Sequence, residues 1–441
     1  MSKPIVAVVG RPNVGKSTFF NSIVGRRVSI VEDTPGVTRD RIYAEAEWNG
    51  VTFGMIDTGG IEPSSNDVIL SQMREQAQIA MDLADVILFM VDGREGLTAA
   101  DTEVAAMLRR TGKKVLLLVN KIDNPTRPPG TLYDFYELGI GEPIPVSSAN
   151  KLNFGDVLDE VVASFPPGAG LEEDDRIHLA IIGKPNTGKS SLVNALINEN
   201  RVIVSDIAGT TRDSIDTPFN WKGGEYVLID TAGIRRKSKV NEDIERYSVV
   251  RAVAAIERSD VCILMMDAAE GLTEQDKKIC GIAHEAGKGI VVAVNKWDLI
   301  EKETNTMRDF RREIEADMPF ASYAPIVFIS VKDRVRLGEL MDTAAKVAEI
   351  RATRIPTGML NSLVTDAVMM KQPPADKGKR LKIYYVAQVG VKPPLFSFQV
   401  NKRTLMHFSY ARYLENRIRD TFGFEGTSIK FVYREKREKD Q

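Results

Sequence analysis

Two stretches of the chain carry a glycine-rich pattern whose residue types suit phosphate binding. Gly-x-x-x-x-Gly-Lys-Ser covers residues 10–17 and returns at residues 183–190, each time after an apolar run and before a segment with helical spacing. Its glycines let backbone N–H groups wrap phosphate oxygens at a helix N-terminus, the lysine reaches the outer phosphates, and the serine hydroxyl binds Mg²⁺. One copy could be a glycine-rich turn with a surface lysine, but two copies in the same context favour two P-loops. The expected binding residues are Gly10, Gly15, Lys16, Ser17 and Thr18, and then Gly183, Gly188, Lys189, Ser190 and Ser191.

An Asp-x-x-Gly motif follows each P-loop, at residues 57–60 and 230–233. Asp57 and Asp230 each end a strand-like run and can supply a carboxylate to the Mg²⁺ shell, directly or through water. Gly60 and Gly233 can offer an N–H to the γ-phosphate. The motif alone is usually a turn, so its position after the P-loop carries the prediction.

A threonine between the two motifs can complete the Mg²⁺ shell only while the γ-phosphate is present, and its release on hydrolysis would free the loop. Thr38 and Thr211 are the expected residues, together with Lys16 and Lys189 as catalytic groups. The neighbouring Thr34 and Thr210 are alternatives for this role.

A third repeated motif indicates which base is bound. Asn-Lys-x-Asp occurs at residues 120–123 and 295–298, directly after apolar runs. A carboxylate there accepts from the N1–H and the exocyclic amine of guanine, in charge-assisted bonds of roughly 1.5–3 kcal/mol each. Adenine lacks this donor pair and would leave the carboxylate unpaired. A solvated Asn-Lys turn is the alternative, which the order of motifs disfavours. The base-reading residues are Asn120, Lys121, Asp123, Asn295, Lys296 and Asp298.

A last loop of each copy can offer a backbone N–H to the guanine oxygen. Ser148 and Ala149 fit this role in the first copy, and Ser330 and Val331 in the second. Valine replaces the usual small residue, which a contact made by the backbone can tolerate.

The organisation of the chain follows from this repeat. Short apolar runs alternate with helical segments, which predicts an α/β fold with a largely parallel sheet in each copy. The central strands are expected at residues 5–9, 86–91 and 115–119, and at 179–182, 261–266 and 290–294, with a hairpin at Asn49-Gly50 that makes one edge strand antiparallel. The predicted boundaries are 1–165 for the first domain, 166–175 for an acidic linker, 176–350 for the second domain and 351–441 for a third.

The third segment is expected to be a small α+β domain, with strands at 381–391 and 395–400, a helix at 408–422 and a strand at 428–433. It contains 18 Lys+Arg and 8 Asp+Glu, so its balance is +10, although the whole chain carries only −2. Phosphate neutralisation by such residues dominates RNA affinity. The candidate contacts are Lys402, Arg403, Arg412 and the run 434–439. Part of the domain could instead pack on a GTPase domain, and the run 434–439 could instead be disordered.

Composition and segment lengths favour a reduced, cytoplasmic setting. No apolar run reaches the ~20 residues of a membrane span, and the N-terminal apolar run is too short for a signal peptide. The chain contains two cysteines, Cys262 and Cys280, which are too few to predict a disulfide framework or a metal cluster.

With two GTPase motif sets and a basic third segment, the whole chain resembles the bacterial EngA (also called Der) GTPases. The match is carried by residues 10–17, 38–40, 57–60 and 120–123 and by their second-copy counterparts. The resemblance implies a KH-like third domain, a partner in the large ribosomal subunit and its rRNA, and nucleotide-dependent rearrangement of the first GTPase domain. We expect a monomeric, slow GTPase that binds GTP/GDP and Mg²⁺.

The residues after Asp-x-x-Gly depart from many GTPases. Ile61 and Ile234 stand where a glutamine often orients the attacking water, which an aliphatic side chain cannot do. The resembling class uses a K⁺ ion, held partly by the P-loop asparagine, in place of an arginine finger. This implies Asn13 and Asn186 as K⁺ ligands, unless they only cap the loop.

Two further features separate the alternatives. The basic run 235–239 has no counterpart at 61–65, and it is either a solvated face or an RNA contact gated by nucleotide. Gly423-Phe-Glu-Gly426 lies between a helix and a strand, so we interpret it as a turn and not as a nucleotide-gripping KH loop. A GTPase-regulated tRNA-modifying enzyme would need a further module, and a structural protein with one dead site does not fit two complete motif sets.

Overall fold

The computed structural model of the chain describes residues 4–24, 43–60, 69–165, 175–199, 216–230, 244–373, 375–376 and 379–435. The chain forms two compact units, Met1–Asp175 with Lys239–Ala254, and Arg176–Ser238 with Ala255–Gln441. The predicted linker 166–175 lies outside the described residues except for Asp175. In the described part of the chain, no helix has the length and apolar character needed to cross a membrane.

The first unit contains a mostly parallel sheet with helices on both faces. Its strands are β1 (Ile5–Val9), β2 (Tyr43–Trp48), β3 (Val51–Asp57), β4 (Val86–Asp92), β5 (Lys114–Asn120) and β6 (Pro143–Pro145). Its helices are α1 (Lys16–Val24), α2 (Ile69–Leu83), α3 (Ala99–Arg109) and α4 (Phe154–Ala163), with 3₁₀ segments at Thr58–Gly60 and Gly130–Leu138. Among the described residues the order is β2-β3-β1-β4-β5-β6, and only β2 runs antiparallel.

Burial on both faces explains why the central strands lack polar alternation. Ile5 and Val9 of β1 enter a core with α2 and α3, whereas Val6 and Val8 enter a core with α1 and α4. The predicted hairpin is confirmed, because Asn49 and Gly50 both have positive φ, at 49° and 82°, which suits a tight turn between β2 and β3.

The second unit repeats this architecture. Its strands are β7 (Ile177–Ile182), β8 (Thr217–Trp221), β9 (Gly224–Ile229), β10 (Val261–Asp267), β11 (Gly289–Asn295) and β12 (Ile326–Phe328). The helices of this copy are α5 (Lys189–Glu199), α6 (Ile244–Arg258), α7 (Glu274–Glu285), α8 (Thr306–Asp317) and α9 (Leu337–Arg351), and the units divide α6 after Ala254. In the described residues the order β8-β9-β7-β10-β11-β12 matches the first sheet strand for strand, with β8 antiparallel. The predicted α/β fold is therefore confirmed in both copies.

The C-terminal part of the second unit is a small α+β domain. It consists of α10 (Thr357–Met370), β13 (Ala375–Asp376), β14 (Lys379–Arg380), β15 (Ile383–Gly390), β16 (Leu395–Val400), α11 (Phe408–Phe422) and β17 (Lys430–Glu435). β15 is antiparallel to β16 and β17 is parallel to it. Phe396, Phe398 and Val400 alternate inward to form its core.

The strand boundaries in this domain differ from the prediction, since β15 spans Ile383–Gly390 and not 381–391, and the last strand ends at Glu435 and not at residue 433. The last strand begins at Lys430 and not at Ser428. Thr427 instead bridges to Gly289 at the start of β11, and the Ile290 N–H donates to the Gly426 carbonyl at 2.7 Å. Residues 426–427 therefore bond to the neighbouring sheet before the chain joins β16.

Candidate functional site: two nucleotide sites at the strand ends

Each sheet brings the predicted motifs to one edge. β1, β3, β4 and β5 are parallel neighbours, so the residues at their carboxyl ends share one edge of the sheet. The P-loop follows β1, Asp57 ends β3, and Asn120 ends β5. The second sheet places the corresponding motifs after β7, β9 and β11. The carboxyl edge of an open parallel sheet is where such folds bind ligands.

Asn120 joins the P-loop to the base-recognition loop. Its Nδ2 donates to the Val14 carbonyl at 2.6 Å, and its Oδ1 accepts from the Ser148 N–H at 2.8 Å. A Cβ on Gly15 would lie 2.3 Å from that Nδ2, and Gly15 has a φ of 100°. Only glycine therefore lets the P-loop backbone approach this closely.

The same bridge exists in the second site. Asn295 Nδ2 donates to the Thr187 carbonyl at 2.8 Å, and its Oδ1 accepts from the Val331 N–H at 3.0 Å. The valine that replaces a small residue thus makes the backbone bond that Ser148 makes, with its side chain in the core. Since these two N–H groups are committed to asparagine, we expect the next residues, Ala149 and Lys332, to face the guanine oxygen.

Lys16 lies inside the P-loop. Its Nζ donates to the carbonyls of Gly10 and Arg11, at 2.7 and 2.6 Å, and the residue is only 5% exposed. Burial lowers the pKa of Lys16 to about 8, against the opposing effect of the Asp57 carboxylate. Lys189 makes the equivalent bonds to Gly183, at 2.7 Å, and to Lys184.

The Asp-x-x-Gly aspartates lie beside the P-loops. Asp57 is buried and its Oδ1 accepts from the Gly59 N–H at 2.8 Å, while the Ser17 side chain is exposed. Carboxylate and hydroxyl oxygens are the hard ligands that Mg²⁺ prefers, so this donor set fits the ion. Asp230 is buried at the equivalent place, with its N–H donating to Asp216 Oδ1 at 3.1 Å.

Two aspartates that were not predicted from the sequence form ion pairs with the lysines predicted to contact the base. Lys121 Nζ lies 2.5 Å from Asp92 Oδ2, and Lys296 Nζ lies 2.5 Å from Asp267 Oδ2. Although burial opposes the shift, the hydrogen bonds from these lysines hold the pKa values of Asp92 and Asp267 below their ordinary range. Their repetition at the ends of β4 and β10 was the sequence signal that could have found them.

The P-loop is also anchored from its outer side. Arg11 donates from Nε to Asp101 Oδ1 at 3.0 Å and from Nη1 to Glu95 Oε2 at 2.7 Å. Asp101 is fully buried because it also closes the capping box that begins α3 at Thr98. Lys184 pairs with Glu270 in the second site. These anchors, too, were absent from the sequence-based list of site residues.

The guanine-reading aspartates have different surroundings. Asp123 Oδ2 accepts from Arg94 Nη2 at 2.8 Å, and its Oδ1 lies 3.5 Å from Asn150 Nδ2. In the second site Asp298 Oδ1 is buried and has no hydrogen-bond partner within the described residues. The nearby Ser330 hydroxyl, which donates to Asp333 Oδ2 at 3.2 Å, nevertheless holds the pKa of Asp298 below its ordinary value.

The predicted switch residues belong to segments that the structure does not describe. Thr38 and Thr211, the alternatives Thr34 and Thr210, Gly233, Ile61, Ile234 and the run 235–239 lie outside the described residues. The P-loop asparagines are described: Asn13 and Asn186 are exposed, with left-handed φ values of 62° and 65°. Their amide oxygens are hard donors that could serve a monovalent cation.

The C-terminal domain exposes most of its predicted RNA contacts. Lys402, Arg403 and Arg434 are exposed, and residues 436–439 lie outside the described part of the chain. The interpretation of residues 423–426 as a turn is confirmed, since Gly423 ends α11 with a φ of 70°. A Cβ on Gly426 would lie 2.2 Å from Val347 of α9, so this turn is packed within its unit.

The chain is similar to known proteins over its whole length. A family model described as "50S ribosome-binding GTPase" matches residues 5–121 and 178–296, and one described as "KH-domain-like of EngA bacterial GTPase enzymes, C-terminal" matches residues 354–434. The GTPase Der of Lachnospira eligens is 61% identical, and that of Alkaliphilus metalliredigens 60%, each over 441 residues and all of both chains. Era from Aquifex aeolicus is 21% identical over 75% of this chain and 93% of its own, with a TM-score of 0.31. The chain belongs to the EngA (Der) family of bacterial GTPases.

Proposed function

We propose that the chain is a GTP-dependent switch in the assembly of the large ribosomal subunit and that it acts in the cytoplasm as a monomer. The main support for the proposal is that one chain carries two sets of guanine-nucleotide motifs together with a basic C-terminal domain. The description of the matching GTPase family as 50S ribosome-binding supports the choice of subunit. The exposed cations Lys402, Arg403 and Arg434 support an RNA partner, because phosphate contacts dominate such binding.

The residues assigned to each site have distinct roles in this proposal. Ser17, Thr38 and Asp57, with Ser190, Thr211 and Asp230, would hold Mg²⁺, which stabilises negative charge on the phosphates when bound. Lys16 and Lys189 would leave their P-loop carbonyl partners and donate to the β- and γ-phosphates. The predicted domain boundaries at 165, 175 and 350 belong to the same proposal.

Hydrolysis is proposed to be slow and stimulated by K⁺. The support is the exposed amide of Asn13 and of Asn186 in a left-handed P-loop position, together with isoleucine in place of a water-orienting glutamine. GTP turnover measured in matched KCl and NaCl buffers should be higher in KCl, and Asn13→Ala with Asn186→Ala should remove the difference. Equal turnover of the unmodified protein in both salts would contradict this part.

The ribosomal role is tested by co-sedimentation through a sucrose gradient that separates the subunits. The protein is loaded with GDP, with a non-hydrolysable GTP analogue, or with no nucleotide. We expect it to sediment with the large subunit in one nucleotide state and to be released in another. Binding that ignores the nucleotide, or that occurs only on the small subunit, would overturn the proposal.

A further inference from the structure

The loop that follows β4 in the first site and β10 in the second differs at two residues, Gly93 against Ala268 and Arg94 against Ala269, and of these the second exchange changes a charge. Arg94 follows the β4–β5 pair Asp92 and Asn120, and Ala269 follows the corresponding pair Asp267 and Asn295. The backbones match, since the Arg94 N–H donates to Asp92 Oδ1 at 2.9 Å and the Ala269 N–H donates to Asp267 Oδ1 at 2.9 Å. Among the described residues, the first site therefore places a guanidinium beside its predicted base-reading carboxylate and the second site does not.

The guanidinium resembles the base chemically. Guanine presents its N1–H and its exocyclic amine to the carboxylate as two neighbouring N–H donors, and arginine presents N–H donors in the same planar form. Arg94 Nη2 already donates to Asp123 Oδ2 at 2.8 Å. The oxygen that guanine needs is thus occupied by a side chain of the protein.

The second site has no such substitute. Ala269 cannot reach Asp298, and Asp298 Oδ1 is left buried without a hydrogen-bond partner in the described residues. That oxygen can accept from a ligand donor without first losing a protein partner. The two sites therefore differ in what an arriving base must displace.

We propose that Arg94 is an affinity-setting residue of the first site, where it occupies the place of guanine on Asp123 and must be displaced before the base binds. The proposal rests on the base-reading role proposed for Asp123. Arg94 and Asp123 are 64% and 62% exposed, so their pair has the modest strength of a surface ion pair. Its removal should increase the binding-competent fraction of the first site and tighten binding by about two- to fivefold.

The direction of this effect distinguishes competition from ordinary electrostatics. GDP is an anion, so loss of a nearby positive charge should by itself weaken binding. A gain in affinity on removal of Arg94 therefore requires that the arginine opposes the base. Arg127 provides the matched control, because it is an exposed arginine close to Asp123 in sequence and removal of its side chain makes the same charge change.

The experiment measures binding of a ribose-labelled fluorescent GDP to the full-length, nucleotide-free chain in an Asp298→Asn background, which silences the second site. We expect Arg94→Ala to raise the association rate and lower Kd about two- to fivefold, and Arg127→Ala to leave Kd unchanged or raise it. The gain should shrink at about 0.5 M salt because the ion pair is screened. Unchanged or weaker binding by Arg94→Ala would overturn the proposal.

Two further variants locate the effect at the carboxylate. In Asp123→Asn with Asp298 unchanged, the new amide can donate to the C2 carbonyl of xanthine, so xanthosine diphosphate reports on the first site alone. Arg94→Ala should then have no effect on its binding. Introducing Ala269→Arg into the Asp123→Asn background should weaken GDP binding at the second site by a similar factor. A persistent Arg94 effect with xanthosine diphosphate would refute competition for Asp123. If Asp123→Asn alone leaves GDP binding at the first site intact, the base-reading role fails instead.

Discussion

Replacing Asn120 with alanine should uncouple the P-loop from the base-recognition loop of the first site. Asn120 is 2% exposed and its amide satisfies two buried backbone groups, the Val14 carbonyl and the Ser148 N–H. A buried polar group left without a partner costs about 1–3 kcal/mol. We expect the local stability of these two loops to fall by roughly 2–4 kcal/mol. The value should lie toward the low end of this range if the loops can relax to admit water.

The same substitution should weaken GDP binding at this site by about ten- to a hundredfold, since each factor of ten corresponds to about 1.4 kcal/mol. Hydrogen exchange of the Ser148 amide reports the local stability, and fluorescent GDP binding in an Asp298→Asn background reports the affinity. Asn295→Ala in an Asp123→Asn background is the matched test of the second site. Loss of less than about 1 kcal/mol at Ser148, with unaltered GDP affinity, would refute this view of the asparagine.

Two other predictions concern buried charges. The pKa of Lys16 is about 8, and bound phosphate should raise it, so GDP binding between pH 8 and 9 should take up protons. Calorimetry in buffers of different ionisation enthalpy measures this uptake. Lys16→Met should abolish the uptake at the first site. In the second unit, burial by itself would raise the pKa of Asp260, but His178 and Arg351 together lower it to about 2. This carboxylate therefore stabilises the fold above about pH 4, and that contribution disappears as the pH falls toward 2. Arg351→Met should lower the free energy of unfolding in urea at pH 7 by about 2–3 kcal/mol, which is less than for a fully buried pair because Asp260 keeps contact with water. The substitution should also reduce the loss of stability in acid. An unchanged dependence of stability on pH would argue against the Arg351–Asp260 pair.

The sequence was sufficient for the fold and for the motifs that repeat. Apolar runs such as residues 5–9 and 261–266 are buried on both faces, a situation that leaves a direct trace in composition. The glycine pattern identified Gly15 and Gly188 because close backbone approach excludes every other residue. These predictions depend on local rules that the sequence carries.

The contacts missed from the sequence are those between segments far apart in the chain. The approach of Arg11 to Asp101, or of Arg94 to Asp123, depends on how the loops after neighbouring strands are packed. The bridge from Thr427 to Gly289 has the same origin. Each arises from tertiary neighbours and not from a periodic pattern.

Both sites of one chain are expected to bind guanine nucleotide. Equilibrium dialysis or native mass spectrometry of the full-length protein counts the bound GDP directly. We predict two GDP per chain, and one for Asp123→Asn and for Asp298→Asn separately, with no binding by the double variant. A single GDP on the unmodified chain would contradict the presence of two guanine-binding sites. A single variant that still binds two GDP would contradict the role of the substituted aspartate.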